Sequence, residues 1–316
     1  MGKFHAARIN ENDKINFVGC FDLDPEKSKT VADQYKIKKY DSMESMIDDV
    51  DGVCIAVPTL EHLNVASIFL KAERAVLLEK PIAHDIPSAE KLVKISESNG
   101  TILQIGHSER FNPAFLAVEK GIDSPKFIET HRLAPFKGRG DDVAVILDLM
   151  VHDLDLIMAM TGLLPEKIEA AGVSVITDTI DIVNARLTFP GGCVANVTAS
   201  RISVKEMRKL RVFQKSGYTS IDMATREAEQ YNVVSNEDDR FKQAPIFGRF
   251  SLPDGRAVVR NSVAIPEGDN LKFEIESFIG GIRGEHEIAV TGRDGLNVLR
   301  VASEIEKLCK DYLKKI

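Results

Sequence analysis

The sequence of 316 residues contains no tryptophan, and its aromatic residues amount to only 6%. Aromatic platforms for stacking on single-stranded nucleic acid are therefore scarce. Blocks of basic residues are also lacking, and the formal net charge is −7. Because nucleic-acid binding needs a basic face that neutralises phosphates, we expect no nucleic-acid partner.

Cysteine is equally sparse. The four cysteines, at positions 20, 54, 193 and 309, lie far apart and form no CxxC pair. This spacing predicts neither a zinc site nor a disulfide framework, and it is typical of a protein of the reducing cytoplasm. No run of about 18 apolar residues and no charged-then-apolar leader is found, so we expect neither a membrane span nor a secretory signal.

What remains is the composition of a globular protein that can bury a sizeable core, with 44% hydrophobic residues in a length that suggests two domains. Up to about residue 120, short apolar runs alternate with amphipathic segments, as in 52–57 followed by 61–72. This alternation predicts an α/β domain with a doubly wound, Rossmann-type parallel sheet. Asp24-Pro25 predicts the start of one of its helices, and Asn99-Gly100 the end of another.

The later part of the chain has a different pattern. Longer alternating stretches, such as 181–189 and 210–223, are typical of antiparallel strands with one solvated face. We therefore expect a dinucleotide-binding domain over residues 1–118. A substrate-binding α+β domain with an open, mostly antiparallel sheet should follow over residues 119–316. Because the apolar face of such a sheet must be covered, a homodimer or homotetramer is expected.

The start of the chain matches a dinucleotide fold only in part. Such folds open with an apolar strand and a GxGxxG turn, and an acidic residue follows about 20 residues later. Here Asp22 follows an apolar run at that spacing from Gly2. If Gly2 is the third glycine, the first strand and two glycines lie upstream of Met1, and the chain is a start-site truncation or a degraded copy. The alternative is that Gly2 is an ordinary terminal glycine.

Asp22 also bears on the choice of cofactor. Asp24 already fits the helix N-cap before Pro25, which leaves the Asp22 carboxylate available to a ribose diol. An acidic side chain at that position would repel a 2′-phosphate. The sequence thus favours NAD over NADP.

Two further patterns suggest chemistry. Lys80 follows the apolar run 75–78, at a strand end where open α/β sheets bind ligands, although a solvated loop lysine is the alternative. Asp148 and His152 are four residues apart, so on a helix they share one face. A carboxylate there can fix the imidazole tautomer, and a neutral imidazole can take the proton of an alcohol that loses a hydride.

The alternatives for the Asp148/His152 pair are a satisfied, partly buried histidine and a metal site. A metal would need a third ligand, and His62 or His107 would have to converge on the pair. Nothing in the spacing requires a metal, and none is expected.

Four motifs in register carry a resemblance to a known family: Asp22, AVPTLEH at 56–62, EKP at 79–81 and LDLMVHDLD at 147–155. With GHSERFNP at 106–113, they make the chain similar to the glucose-fructose oxidoreductase / inositol dehydrogenase / rhizopine catabolism (Gfo/Idh/MocA) family from Gly2 to its end. The resemblance implies an NAD(P)-dependent sugar or cyclitol dehydrogenase. It also implies that Lys80, Asp148 and His152 carry the reaction.

Roles follow for the individual residues. We assign His152 as the base, Lys80 as the cation that stabilises the developing alkoxide, and Asp148 as the group that orients the imidazole. For His62, a helix cap is an alternative to cofactor contact. The expected cofactor-binding residues are Gly2, Asp22, Pro58, His62, Glu79 and Lys80.

The segment 132–143 resembles the branch of the family that oxidises the 3-hydroxyl of UDP-N-acetylglucosamine for amino-sugar lipid A synthesis. Lys137 and Arg139 would suit a diphosphate, although a solvated basic loop is an equal alternative. Arg110 is a further substrate-binding candidate, or a strand cap. Asp153 and Asp155 are expected to be solvated or capping, although Asp155 lies three positions from His152 and could reach the site. The alternative functions are a free sugar or inositol dehydrogenase, and a cofactor-binding sensor or truncated relic without catalysis.

Overall fold

The computed structural model describes residues 1–136, 138, 143–243, 245 and 248–314. The helices in these ranges are α1 (Gly2–Asn10), α2 (Pro25–Tyr35), α3 (His62–Lys71), α4 (Ile86–Asn99), α5 (Pro113–Leu116), α6 (Val151–Thr161), α7 (Asp239–Gln243), α8 (Asn270–Ile282) and α9 (Gly292–Leu313). The strands are β1 (Gly19–Cys20), β2 (Lys38–Lys39), β3 (Gly52–Ile55), β4 (Ala75–Glu79), β5 (Leu103–Gly106), β6 (Phe127–Leu133), β7 (Lys167–Val173), β8 (Ile182–Thr188), β9 (Val194–Ser200), β10 (Met207–Gln214), β11 (Gly217–Asp222), β12 (Glu227–Ser235), β13 (Arg249–Ser251) and β14 (Arg256–Ser262).

The chain divides into two compact units. Unit 1 comprises Met1–Ser108 and Asp269–Leu299, and unit 2 comprises Glu109–Gly268 and Arg300–Ile316. Each unit therefore consists of two separate segments of the chain, because the chain returns to unit 1 at Asp269. The return has a physical cause in α8, whose Ile275 and Phe278 share a buried cluster with residues of β4.

Unit 1 has the expected parallel architecture. β3, β4 and β5 pair in that order and in parallel, and β1 pairs in parallel with β2 as a separate group. In β4, Val76, Leu77 and Leu78 are buried, as expected for an inner strand with both faces covered. The predicted helix signals are confirmed: the Asp24 side chain caps α2, and α4 ends at Gly100 in the left-handed conformation with φ 60°.

Unit 2 contains one large sheet, in the order β13-β14-β12-β11-β10-β6-β9-β8-β7. All neighbours pair antiparallel except β6 and β9, which pair in parallel. Val183, Ala185 and Leu187 of β8 are buried, and Asn184 and Arg186 between them are exposed. The prediction of an open, mostly antiparallel sheet is therefore confirmed. α6 lies against β6 and β9.

Across the described ranges, the helices are too short or too polar to cross a membrane.

Candidate active site

In unit 1, the loops after β3 and β4 are joined by His62, the first residue of α3. Its Nδ1 lies 2.9 Å from the carbonyl oxygen of Pro81, and its Nε2 lies 3.1 Å from that of Val57. Burial lowers the pKa of this imidazole, although the surrounding carbonyl groups oppose the shift. A neutral imidazole carries one N–H, so it donates to one of these two carbonyl oxygens and contacts the other, and the ring lies between the two loops that carry Pro58 and Lys80. A direct contact of His62 with the cofactor stays a prediction.

Helix α1, which begins at Gly2, contacts the end of β4 through a hydrogen bond between His5 and Glu79. The Nε2 atom of His5 lies 2.6 Å from Oε1 of Glu79, and His5 is buried. A Cβ atom at Gly2 would have the Cβ of Ala56 as its nearest neighbour, at 4.0 Å, so the start of α1 lies beside the loop after β3. The backbone N–H groups of this helix start are thus held near the strand ends, where an anionic pyrophosphate is favoured. This role of His5 could not be predicted from the sequence, because a single histidine has no periodic signal.

Asp22 lies just beyond the end of β1 and is exposed. Its Oδ1 accepts a hydrogen bond of 2.9 Å from the backbone N–H of Asp24, which orients the carboxylate. The neighbouring Leu23 is also exposed. An exposed carboxylate at a strand end fits the diol of a ribose, and together with the start of α1 it fits a dinucleotide.

Lys80 is partly buried and directly follows β4. Glu79 lies opposite Gly106 in the register of β4 and β5, so Lys80 leaves the sheet at its carboxyl edge. The Lys80–Pro81 peptide bond is cis. The position is the one expected for a residue that faces a ligand, and its catalytic role stays a prediction.

In unit 2, Asp148 and His152 lie on one continuous helical segment, but not on one α-helix. Asp148 belongs to a π-helical turn, Ile146–Met150, and His152 belongs to the first turn of α6. A π turn has hydrogen bonds from i to i+5, so the four-residue spacing spans less than one full turn there. Such turns are frequent at functional sites. The sequence analysis could not predict the π turn, because one wide turn leaves no periodic trace.

The two acidic residues after His152 are both buried and paired with arginines. Arg110 donates to Asp155 through Nε at 2.9 Å and through Nη2 at 2.7 Å. Arg132 donates to Asp153 through Nε at 2.8 Å and through Nη2 at 3.0 Å. The expectation that Asp153 and Asp155 are solvated or capping was wrong, because both side chains are buried among the apolar residues of α6 and a carboxylate there needs a cation.

The Arg132 side chain has a second acidic partner. Its Nη1 donates to Oε1 of Glu109 at 3.1 Å, and Arg208, opposite Arg132 in the register of β6 and β10, donates to the same atom at 3.1 Å. Burial lowers the pKa of Arg132, but the charges of Asp153 and Glu109 outweigh it, so that pKa is raised. Burial also raises the pKa of Asp153, and Arg132 opposes that shift. The sequence does contain a signal for these pairs: two acidic residues, Asp153 and Asp155, lie within an apolar helix. Buried there, each needs a cationic partner from another element.

The structure thus groups the predicted residues by unit. Gly2, Glu79 and His62 lie at the carboxyl ends of the strands of unit 1, and Asp148 and His152 lie at the start of α6 in unit 2. Lys137 and Arg139 lie outside the described residues. Among the residues that are described, no three His, Cys, Asp or Glu side chains are placed to hold a metal ion.

Comparison with known proteins extends these observations. Residues 1–107 match the model of an oxidoreductase family with an NAD-binding Rossmann fold, and residues 129–219 match a C-terminal domain of the GFO/IDH/MocA group. The UDP-N-acetylglucosamine 3-dehydrogenase of Acidithiobacillus ferrooxidans is 31% identical over 100% of this chain and 96% of its own length. The chain belongs to the Gfo/Idh/MocA family. A solved structure of that relative has a TM-score of 0.86 at 31% identity, covering 99% of this chain and 95% of its own.

A second relative is the inositol 2-dehydrogenase of Rhizobium meliloti, 27% identical over 96% of this chain and 92% of its own length. Membership of the family confirms an oxidoreductase that acts on CH–OH groups, with NAD as the cofactor of a Rossmann-type domain. The expected fold and family resemblance are confirmed as well.

Proposed function

We propose that this protein is an NAD-dependent dehydrogenase that oxidises the 3-hydroxyl of UDP-N-acetylglucosamine. The observation that carries the proposal is the identity of 31% over the full chain to a relative with that name, together with the TM-score of 0.86 to its structure. The product is a UDP-3-keto sugar, which a subsequent aminotransferase consumes in amino-sugar lipid A synthesis. Free thiols at all four cysteines accord with a cytoplasmic location.

In the proposed reaction, NAD supplies the hydride acceptor when bound. His152 removes the proton of the substrate hydroxyl, since a neutral imidazole can act as a general base near neutral pH. Lys80 stabilises the negative charge that develops on the oxygen, and Asp148 orients the imidazole. Lys137 and Arg139 neutralise the diphosphate of the substrate, and Arg110 and Asp155 line its binding region.

The proposed cofactor residues act through the strand ends of unit 1. Asp22 accepts hydrogen bonds from the ribose diol, and the N-terminal turn of α1 at Gly2 faces the pyrophosphate. Pro58 and Lys80 lie on the two loops that flank His62, and Glu79 contacts α1 through His5.

The test is NADH formation from NAD and UDP-N-acetylglucosamine, measured against free N-acetylglucosamine and myo-inositol. Lys80→Met should abolish turnover, and Lys94→Met, at an exposed position of α4, should leave it unchanged. Turnover of myo-inositol alone would favour the inositol dehydrogenase alternative, which the relative from Rhizobium meliloti supports. Cofactor binding without turnover of any sugar would favour a sensor.

We also propose that a second copy of the chain covers the open face of the large sheet. Four rings form a ladder across neighbouring strands of that face: Phe127, Phe213, Tyr218 and Tyr231. Their centroids are 6.0, 5.4 and 4.4 Å apart along the series. Such a ladder is an apolar surface suited to self-association. Tyr218→Arg should reduce the mass measured by light scattering, whereas Tyr312→Arg on α9 should not.

A further inference from the structure

The helix that carries His152 is held by two arginines that come from other elements. Arg110 lies in the short helical turn Ser108–Phe111, and Arg132 lies in β6. Each presents Nε and Nη2 to one carboxylate of α6, so each pair forms two parallel hydrogen bonds. Arg110 also reaches the backbone oxygen of Asp155 at 3.5 Å. Two-point bonding fixes direction as well as distance, because the guanidinium group is planar.

The two arginines bond to side chains on opposite sides of α6. Successive residues of an α-helix are about 100° apart around the axis, so Asp153 and Asp155 point about 200° apart. His152 lies about 60° from Asp155 by the same geometry. Contacts on two opposite sides of the helix each oppose its rotation about the axis.

A small rotation would matter for His152. A side-chain tip lies about 5–6 Å from the helix axis, so a rotation of about 10° displaces it by about 1 Å. A displacement of about 1 Å at a catalytic group can lower the rate about 100-fold. Contacts that prevent a rotation of about 10° would therefore preserve the rate of proton transfer.

We propose that Arg110 and Arg132 are positioning residues that fix the orientation of the His152 imidazole by clamping α6 through Asp155 and Asp153. The inference rests on the proposed function, since it takes His152 as the base. It assigns to Arg110 and Asp155 a role beyond contact with substrate, and it gives Arg132 and Asp153 a role in the reaction.

The test uses Arg110→Lys and Arg132→Lys, which keep the positive charge but cannot bond to a carboxylate through two parallel N–H groups. Arg240→Lys is the matched control, because the exposed Arg240 bonds to Asp238 through Nε and Nη2 in the same way. The readouts are kcat, the NAD dissociation constant, and the NMR signal of the His152 ring, assigned by its loss in His152→Gln.

We expect kcat to fall about 10- to 100-fold in each clamp variant, with NAD binding unchanged and the ring signal shifted. Arg240→Lys should match the wild type in all three. A wild-type kcat in both the Arg110→Lys and the Arg132→Lys variants would overturn the proposal. A loss of kcat accompanied by an equal loss of NAD binding would also overturn it, because such a loss indicates a general disturbance of the structure. If Arg132→Lys does not fold, Arg110→Lys decides, and an unchanged KM for the sugar then separates the positioning of His152 from the loss of a substrate contact. If the wild-type protein oxidises no sugar, the proposed function fails, and the ring signal alone decides the positioning role.

Discussion

Glu274 of α8 is fully buried, and within the described residues neither of its carboxylate oxygens has a hydrogen-bond partner. Burial raises its pKa well above the ordinary value, and the charge of Glu79 raises it further. The folded protein therefore keeps this carboxyl group neutral to a higher pH than the unfolded chain does.

The sign of the pH dependence follows from this difference. Because the folded pKa is the higher one, the contribution of Glu274 to stability is complete below about pH 4 and is lost as pH rises. While the folded group stays neutral, the loss is about 1.4 kcal/mol for each pH unit above the pKa of the unfolded chain. Glu274→Met removes the titration and leaves no buried polar atom at this position.

The assay is urea unfolding of the wild-type and Glu274→Met proteins at several values between pH 5 and pH 7.5, chosen to lie above the pKa of the unfolded chain. We expect the variant to gain stability relative to the wild type as pH rises, by up to about 1.4 kcal/mol per pH unit while the folded carboxyl group is neutral. Glu276→Met, at an exposed position of the same helix, should change stability by no more than about 0.5 kcal/mol. A difference between Glu274→Met and wild type that does not vary with pH would refute the reasoning, since the buried carboxyl would then be ionised.

Two further outcomes are expected. Asp181 is buried and accepts hydrogen bonds from the backbone N–H groups of residues 175–177; burial raises its pKa, but these bonds outweigh it and the net pKa is lowered. Asp181→Asn should cost about 1–3 kcal/mol at pH 7 in urea unfolding, and the difference from wild type should shrink below about pH 4; a constant difference would contradict the assignment. Burial, followed by the charge of Glu306, raises the pKa of Cys309 to about 11, so its thiol should react slowly with a disulfide reagent at pH 8 and rapidly in urea. Rapid labelling of Cys309 in the folded protein would contradict this.

The parts of the fold that the sequence predicts are those with a periodic signal. The continuous apolar run of β4 and the alternation of β8 each identify the environment of the strand, because burial on two faces or one face leaves a different pattern. Helix ends are also local, as Asp24 and Gly100 illustrate. The upstream first strand expected from the spacing of Gly2 and Asp22 stays a prediction.

What the sequence could not predict depends on tertiary structure. The position of α8 in unit 1 depends on the surface against which its apolar face packs. The periodicity of the sequence shows that the face is apolar but not which surface it contacts. The π turn around Asp148 differs from an α-helical turn in its hydrogen bonds and not in its residue types, so the sequence does not reveal it. The pairing of Asp153 with Arg132 joins residues of different elements, so a local reading places Asp153 in solvent.

Among the described residues, buried carboxylates differ in the groups that they face. Those of Glu109, Asp153 and Asp155 each face at least one arginine, whereas Glu274 faces none among the described residues. A buried ion pair brings little or no net stability over well-packed apolar residues of similar volume. Stability therefore does not explain why α6 carries two such pairs next to His152. The fixed direction of the hydrogen bonds explains them. A bidentate arginine on each side of the helix fixes the rotation of the helix about its axis, whereas apolar packing of similar strength does not.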